Sequence, residues 1–373
     1  MDKVLKLSAI AACASVAAAT GCGLALGEET WANVVCVGNA DGTGTPLSIP
    51  NTGYRSDLRP ALSATGAAVA WWGFWVTEDG QGGEIGHREI YVAAASAAAS
   101  PIELTARGNA WGRYPAISDD GARVAWVGGD ADQSYDIFIG AADGATAPVR
   151  ITGASDYGTA GPTLSGDATK VAWTHYTSTG AAAEADAPTW VADDVWSANA
   201  DGSGSPLNVT HSTGRDQDPS LSRDGTMIAW ASDRNGNLEI YVGSADGTGS
   251  PVNVSNDPGD DDEPRLSSNG ATVAWRAKEL DGPWRVRTAS AEGATPSVEL
   301  SESTEEMSRP SVSADGALVA WAEDHGDRAT VYVAHADGSN RATIATSAVK
   351  GTQPSLSADG TKVAWTVWQR LRT

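Results

Sequence analysis

The sequence predicts an all-β fold, a seven-bladed β-propeller of four-stranded antiparallel blades. Three observations predict it. A segment that begins Pro-x-(Leu/Ile/Val)-Ser and ends (Val/Ile)-Ala-Trp occurs seven times. Its copies are 44 to 57 residues apart, which is the length of one four-stranded blade or slightly more. The first and last parts of the chain are complementary halves of one blade, so the chain ends can close a ring.

Each repeat predicts four short strands in order. Pro-x-Leu-Ser is the innermost strand, and the Asp-Gly or Asn-Gly after it favours the left-handed backbone of a tight turn. Val-Ala-Trp is the second strand, a third follows as in residues 239–245, and an Asp-Gly turn leads to a fourth. Each blade exposes apolar faces that only neighbouring blades cover. The repeats align on Pro60, Pro115, Pro162, Pro219, Pro264, Pro310 and Pro354.

The two ends of the repeat region predict how the ring closes. Residues 33–49 match the third and fourth strands of a blade and have no first pair before them. Residues 354–365 match a first pair and have nothing after them. We therefore expect the N-terminal strands to pair with the C-terminal strands in the seventh blade, which removes a sheet edge at the seam. The propeller is predicted over residues 31–368, with a C-terminal tail at 369–373.

The N-terminus predicts export. Lys3 and Lys6 precede an apolar run at residues 7–19, the pattern of a signal peptide, and this run is too short to span a bilayer. The Gly21-Cys22 pair that follows resembles the lipobox of bacterial lipoproteins. That resemblance implies a signal peptide at 1–21, lipidation of Cys22, a tether at 22–30, and a membrane-anchored protein facing the periplasm or the cell surface. The alternative is ordinary signal-peptidase cleavage near residues 17–19.

The repeat also resembles a known family. P-x-L-S-x-D-G-x-x-(Ile/Val)-A-W, followed by D-R-N-G-N-x-E-I-Y-V and then A-D-G, is similar to the repeat of TolB-like periplasmic β-propellers and covers nearly all of residues 31–368. TolB proteins themselves have six blades preceded by an α/β domain. Here seven blades and no such domain are predicted, so the resemblance implies an exported propeller of another subtype.

Charge restricts the partners. The 25 basic and 47 acidic residues give a formal net charge of −22, which repels phosphate backbones and anionic lipid headgroups. Nucleic acid is therefore an unsuitable partner, and cations and basic proteins are better ones. Outside the signal peptide and Cys22, Cys36 is the one remaining cysteine, so no disulfide is predicted within the folded body. We expect a monomer.

Chain direction divides the loops between two rims. Turns after first and third strands lie on one rim, called the constant rim because its Ser-x-Asp-Gly and Ala-Asp-Gly turns repeat. Loops after second and fourth strands lie on the other, the variable rim, where acidic residues gather. Clustered carboxylates near the channel can hold a hard cation such as calcium, whereas the alternative is that they are solvated turn residues. No other cofactor is predicted. The acidic binding candidates are Asp216, Asp218, Asp233 and Asp261.

Two long loops on the variable rim, residues 76–88 and 174–193, supply the aromatic candidates, because binding residues concentrate on long loops of rigid scaffolds. The alternative is that these aromatics only pack the loops against the blades. By contrast, the tryptophan that ends each Val-Ala-Trp segment is predicted to be core. The binding candidates are His175, Tyr176 and Trp190, with Trp72, Phe74, Trp75, Trp111 and Tyr157 nearby.

No catalytic set is evident in the sequence. The five histidines are scattered without a repeated ligand spacing, and no G-x-S-x-G motif occurs. The sequence therefore favours a non-catalytic, lipid-anchored envelope protein that binds a protein or glycan with its variable acidic rim. The alternative is a secreted polysaccharide lyase or hydrolase with a metal-assisted site on the same rim.

Overall fold

The structure is a computed structural model that describes most of the chain. The described residues are 30–50, 59–78, 84–96, 100–105, 111–129, 135–153, 159–178, 190–280, 282–301, 306–326, 328–350 and 352–371. Their regular secondary structure is entirely β-strand. Within these ranges, no helix long and apolar enough to cross a membrane occurs. Residues 1–29, with the predicted signal peptide and Cys22, lie outside the described part.

The strands follow the predicted order. They are β1 (Thr30–Asn39), β2 (Leu47–Pro50), β3 (Ala61–Leu62), β4 (Ala68–Glu78), β5 (Glu84–Ala94), β6 (Ile102–Glu103), β7 (Trp111–Ile117), β8 (Arg123–Gly129), β9 (Asp136–Ala141), β10 (Val149–Arg150), β11 (Thr159–Leu164), β12 (Lys170–Ser178), β13 (Trp190–Asn199), β14 (Leu207–Asn208), β15 (Asp216–Leu221), β16 (Met227–Ser232), β17 (Glu239–Ser244), β18 (Val252–Asn253), β19 (Asp261–Leu266), β20 (Thr272–Lys278), β21 (Trp284–Ser290), β22 (Val298–Glu299), β23 (Ser311–Val312), β24 (Leu318–His325), β25 (Arg328–His335), β26 (Ala342–Val349), β27 (Ser355–Leu356) and β28 (Lys362–Leu371).

These strands form seven antiparallel blades of four strands, which confirms the predicted fold. Blades 1 to 6 are β3–β6, β7–β10, β11–β14, β15–β18, β19–β22 and β23–β26, and blade 7 is β27, β28, β1 and β2; one pairing, of Ala348 in β26 with Val367 in β28, also joins blades 6 and 7. The innermost strand of each blade contacts that of the next, and β27 contacts β3, so the ring is closed.

The seam lies inside blade 7, as predicted. β1 pairs with β28 in an antiparallel register that runs from Thr30 opposite Leu371 to Asn39 opposite Lys362. β2 then pairs with β1 on the outer side. The two ends of the described chain are therefore neighbouring strands of one sheet, and backbone hydrogen bonds hold the ring shut. The paired strands extend slightly beyond the predicted bounds of 31 and 368.

Packing between blades forms the core. Each apolar cluster joins two neighbours; for example, Ala172 and Val195 of blade 3 pack with Ile228 and Trp230 of blade 4. The indole of Trp230 also stacks on Tyr241 of its own blade, with ring centroids 6.0 Å apart. The tryptophans predicted to be core are no more than 3% exposed, namely Trp71, Trp126, Trp173, Trp230, Trp275, Trp321 and Trp365.

The Ser-x-Asp-Gly turns of the constant rim are structural. In blade 4 the Ser222 hydroxyl donates to Asp224 at 2.7 Å and accepts the backbone N–H of Met227 at 3.0 Å. The Asp224 carboxylate also accepts the backbone N–H of Thr226 at 3.0 Å. Hydrogen bonds to the ionised form lower the pKa of the Asp224 carboxyl below its usual value. The repeated serines thus serve the turn.

A ring of backbone hydrogen bonds joins these turns around the channel. In every blade an amide of the turn donates to a carbonyl in the turn of the following blade, and blade 7 donates to blade 1. The donor and acceptor pairs are Ala64 to Asp119, Asp119 to Gly166, Asp167 to Arg223, Arg223 to Ser268, Asn269 to Ala314, Ala314 to Ala358, and Asp359 to Ala64, all between 2.7 and 3.0 Å.

Candidate functional site

The innermost strands surround a central channel that contains a cavity of about 240 Å³. Each of these strands runs from the variable rim to the constant rim, so the residue before each repeat proline lies at the mouth on the variable rim. Residues of this kind that line the cavity are Arg59, Tyr114, Gly161, Arg309 and Gln353. Arg265, which follows Pro264, also lines it.

A backbone bulge sets the direction of several mouth residues. In blades 2 to 5 the pairing of the first two strands shifts at the residues around the proline. The residue before the proline there has a left-handed backbone, with φ of 56° at Tyr114, 59° at Gly161, 56° at Asp218 and 51° at Glu263. Such bulges redirect a side chain away from the regular alternation of a strand.

Charged groups of blades 4, 5 and 6 meet at this mouth. Arg309 donates from Nη2 to Asp218 Oδ1 at 2.9 Å, and its Nε lies 3.7 Å from Glu263 Oε1. Arg276 binds Asp262 through two hydrogen bonds of 2.8 and 2.9 Å, and its Nε lies 3.0 Å from Glu263 Oε2. These ion pairs join three blades across the channel mouth.

The surroundings shift the pKa values of Glu263 and Asp262 in opposite directions. Burial opposes ionisation of Glu263, but the positive charges of Arg309 and Arg276 outweigh it and lower its pKa. Burial raises the pKa of Asp262 to about 6, and the hydrogen bonds from Arg276 limit the rise. Both groups are therefore ionised at neutral pH, and Asp262 takes up a proton in mild acid.

Asp216 and Asp261, two predicted acidic candidates, are fully buried rather than solvated. Asp216 accepts hydrogen bonds from Arg234 at 2.9 Å and from the Ser212 hydroxyl at 2.6 Å. Asp261 has no hydrogen-bond partner for either carboxylate oxygen among the residues that the structure describes. The first carboxylate is neutralised inside its own blade, whereas the second is isolated.

The pKa of Asp261 reflects this isolation. Burial, together with the neighbouring acidic groups of Asp257 and Glu239, raises it to about 8. The nearby Ser255 hydroxyl donates its hydrogen bond to Glu239 at 2.6 Å. Asp261 is thus mainly protonated at neutral pH.

The other two acidic candidates lie apart from each other. Asp218 belongs to the channel mouth through its ion pair with Arg309, and its backbone amide donates to the Thr174 hydroxyl at 3.1 Å. Asp233, in the turn after β16, pairs with Arg215 at 3.1 Å in an exposed position. In the described ranges, no three His, Cys, Asp or Glu side chains form a group that could hold a metal ion.

Aromatic and arginine side chains form a second group on the variable rim, over blades 1 and 2. Its members are Trp72, Arg113, Trp111, Tyr114 and Tyr135. The Arg113 guanidinium carbon lies 6.0 Å from the ring centroid of Trp72 and 5.5 Å from that of Trp111. Trp111 meets Tyr135 edge to face at 4.9 Å, and Trp72 meets Tyr114 at 6.5 Å. We call these five residues the aromatic patch.

Several other aromatic candidates belong to blade 3 or lie outside the described part. The half-buried His175 packs against Trp196, with ring centroids 5.4 Å apart. Tyr176 is its half-buried neighbour on β12. Trp190 begins β13, and its backbone pairs with Ser178, but its side chain is outside the described part, as is all of Tyr157. Of the predicted aromatic candidates whose side chains the structure describes, Trp72 and Trp111 lie in the aromatic patch.

The arginines of the channel were not predicted from the sequence. They are single residues beside the repeat prolines, and the acidic runs of the variable rim do not point to them. The sequence did contain a signal for Arg265, because the residue after the proline is small in every other blade. From blade 1 to blade 7 the residues after the proline are Ala61, Ala116, Thr163, Ser220, Arg265, Ser311 and Ser355.

Comparison with known proteins agrees with the repeat. Residues 192–359 match the family profile described as the TolB beta propeller domain. No curated protein matches the chain. Solved structures with the same fold include a putative TolB from Agrobacterium tumefaciens, 17% identical, with a TM-score of 0.55, over 91% of this chain and 99% of that chain.

Enzymes share the fold as well. An oligogalacturonate lyase from Vibrio parahaemolyticus is 11% identical, with a TM-score of 0.58, over 90% of this chain and 91% of that chain. A puromycin-hydrolyzing peptidase from Mycobacterium tuberculosis is 16% identical, with a TM-score of 0.54, over 78% of this chain and 53% of that chain. At these identities the likeness concerns the fold alone.

Proposed function

Because the repeats of this chain belong to the TolB-like β-propeller family, we propose that it is a non-catalytic binding protein of the cell envelope. It is exported, is anchored by a lipid on Cys22, and uses its variable rim to bind a protein or a glycan. The observation that carries the proposal is the aromatic patch.

The composition of the aromatic patch favours a protein partner over a glycan. Tryptophan, tyrosine and arginine are the residues that most often supply the binding energy of protein interfaces. Trp111, Arg113 and Tyr114 are each only partly buried, so they retain surface for a partner. Edge-to-face contacts between the rings and the contacts of Arg113 hold the patch in place before binding, which reduces the entropy lost on association. The acidic surface further favours a partner with basic residues around its contact.

Site-specific photo-crosslinking tests this proposal. A photoreactive phenylalanine analogue at position 111 is expected to crosslink an envelope protein, and the same analogue at position 102 is not. Ile102 is the matched control because it is a 40% exposed apolar residue on the outer strand of blade 1. The same crosslinked proteins from both positions, or none from position 111, would contradict the site.

When a partner has been identified, substitutions measure how much the aromatic patch contributes to its affinity. Trp111→Ala is expected to weaken its affinity at least tenfold, because the variant loses the central ring of the patch. Ile102→Ala is expected to leave the affinity unchanged. Trp190→Ala and Tyr176→Ala test whether the site extends to blade 3. Equal affinities of wild-type protein and Trp111→Ala would contradict the proposed role of the aromatic patch in binding.

The lipid anchor has its own test. Wild-type protein from membranes is expected to carry acyl groups by mass spectrometry, and Cys22→Ser protein is expected to carry none. Acylation of the Cys22→Ser protein would overturn the anchor without affecting the proposed rim site.

A second candidate function is a polysaccharide lyase or hydrolase. The observation that favours it is Asp262, whose pKa of about 6 at the channel mouth suits proton transfer near neutral pH. Polygalacturonate and neutral glycans, each with and without a chelator, are the substrates to test. Product formation that Asp262→Asn abolishes would favour the enzyme, whereas no turnover of any substrate would favour the binding protein.

A further inference from the structure

Arg265 occupies a position at which the other blades have a small residue. Where this residue is serine, its hydroxyl accepts a backbone N–H from the innermost strand of the following blade. These bonds run from Leu266 to Ser220 at 3.0 Å, from Leu356 to Ser311 at 2.9 Å, and from Leu62 to Ser355 at 3.1 Å. In blade 5 a long cationic side chain lines the channel cavity instead. Ring closure gives no reason for this exception.

Three guanidinium groups line the same cavity, but they differ in their partners. Arg309 has Asp218 and Glu263 as partners. In the part of the chain that the structure describes, Arg59 and Arg265 form no ion pair. Among the described residues, Arg265 donates only to the carbonyl of its neighbour Pro264, at 3.1 Å. The buried Nε of Arg59 has no hydrogen-bond partner there, and its guanidinium lies over the Tyr114 ring at 4.6 Å.

This crowding of like charges is unfavourable in the free protein. Burial and the neighbouring charge of Arg309 both lower the pKa of Arg265, and the same two causes lower the pKa of Arg59, although the charges of Glu263 and Asp218 oppose both shifts. Guanidinium N–H groups that have no acceptor lose hydration that nothing replaces. A bound anion would add negative charge beside these groups and would supply the missing acceptors.

We propose that the central channel binds a small organic polycarboxylate through Arg59, Arg265 and Arg309. Two unpaired guanidinium groups match a ligand with two or more carboxylates, because arginine binds carboxylate through two parallel hydrogen bonds. Arg309 adds a third contact from its position between Asp218 and Glu263. This binding site is separate from the aromatic patch and does not depend on the function proposed for that patch.

The size of the cavity limits the ligand to a small molecule. Its volume of about 240 Å³ is slightly below the range of about 300–1,000 Å³ that is usual for drug-sized ligands. A citrate-sized anion fits this space. Leu62, Leu164 and Leu356 contribute apolar wall, which strengthens charge interactions inside the channel.

Calorimetric titration of the full folded chain with citrate tests the proposal. Wild-type protein is expected to bind one citrate, and Arg265→Ser is expected to bind it at least tenfold more weakly. Arg265→Lys, which keeps the charge but loses the planar fork, is expected to lie between them. Arg287→Ser is the matched control, since Arg287 is an arginine of the same blade that pairs with Asp257 and Glu299 instead. Its citrate affinity should equal that of the wild type.

The Arg265→Ser variant is expected to fold, because serine is the residue that blades 4, 6 and 7 have at this position. Circular dichroism and the thermal midpoint without ligand check this, and Arg59→Gln is a second variant on another blade. The proposal is overturned if wild-type protein does not bind citrate, or if both arginine variants bind it as tightly as the wild type. Sulfate binding as tight as citrate binding would overturn the carboxylate assignment.

Discussion

Asp261 is a carboxyl group that the fold keeps protonated. Its pKa of about 8 lies far above the ordinary value near 3.8, because burial and the acidic neighbours Asp257 and Glu239 oppose its ionisation. The unfolded chain loses this proton at about pH 4, whereas the folded protein holds it to about pH 8. Between these values the folded state binds more protons, so the stability that Asp261 contributes declines as pH rises.

Replacement of Asp261 by asparagine is expected to remove this decline. The amide is neutral at every pH and has nearly the same shape as the protonated carboxyl group. Relative to the wild type, Asp261→Asn should therefore gain about 1–4 kcal/mol in free energy of unfolding between pH 5 and pH 8. Urea unfolding at several pH values measures the difference. Asp233→Asn, at a partly exposed ion pair, is the control and should show no comparable gain; a constant difference for Asp261→Asn would refute the assignment.

Single residues were the hardest feature to predict. Asp216 and Asp261 belong to an acidic sequence pattern, but each lies at the start of an innermost strand with its side chain buried inside the blade. The bulge two residues later turns Asp218 and Glu263 toward arginines of other blades. The sequence pattern does not show which acidic residue has a partner, because the partners are distant in sequence, as Arg309 is from Asp218.

Strands and turns were predicted far better than single residues, since the pattern of each strand and turn recurs several times in the sequence. The Ser-x-Asp-Gly turn specifies its own hydrogen bonds through local side chains, and the tryptophan of each second strand specifies the packing between blades. A local signal needs no knowledge of distant contacts. The two long loops of the variable rim carry no such repeated signal, and their central residues, 79–83 and 179–189, lie outside the described ranges.

The turn of blade 1 departs from the others and offers a stability test. Blade 1 has Thr65 where the remaining blades have aspartate or asparagine. In those blades this side chain accepts one hydrogen bond from the turn serine and one from a backbone N–H, as Asp315 does from Ser313 and Ala317. Thr65→Asp is expected to gain about 1 kcal/mol in free energy of unfolding, since it adds both bonds.

Urea unfolding compares the Thr65→Asp variant with the wild type. Thr65→Asn is the matched control for charge, because Asn269 makes the same bonds in blade 5. A gain for both variants supports the hydrogen-bond explanation. A loss for both would show that the blade 1 turn differs in more than this residue.

Strand pairing at the seam, between β1 and β28, stabilises the closed ring. Thr30 lies opposite Leu371 in the native pairing, so a short linker can join the ends without disturbing the sheet. New ends between Thr213 and Gly214 would then move the seam to the boundary of blades 3 and 4. That boundary has side-chain packing and a few hydrogen bonds but lacks a paired strand. We expect this permutant to fold and to lose at least about 1 kcal/mol in free energy of unfolding.

A second permutant isolates the effect of strand pairing. New ends between Asn235 and Gly236, in the turn between β16 and β17, leave two strands of blade 4 on each side of the seam, as in native blade 7. This permutant is expected to match the wild type in urea unfolding. Equal destabilisation of both permutants would mean that the new termini themselves, and not the missing pairing, reduce stability.

The hydrogen-bond ring of the constant rim has a consequence for the electric field in the channel. Each of its amides donates to the next blade in the same rotational sense, from Ala64 to Asp119 and onward to Asp359, which returns to Ala64. The peptide dipoles of these bonds point around the axis and cancel over the closed circle, unlike the aligned dipoles of a helix. The backbone ring therefore contributes almost no axial field. The potential that an entering ion meets is determined by side chains, chiefly Arg59, Arg265 and Arg309.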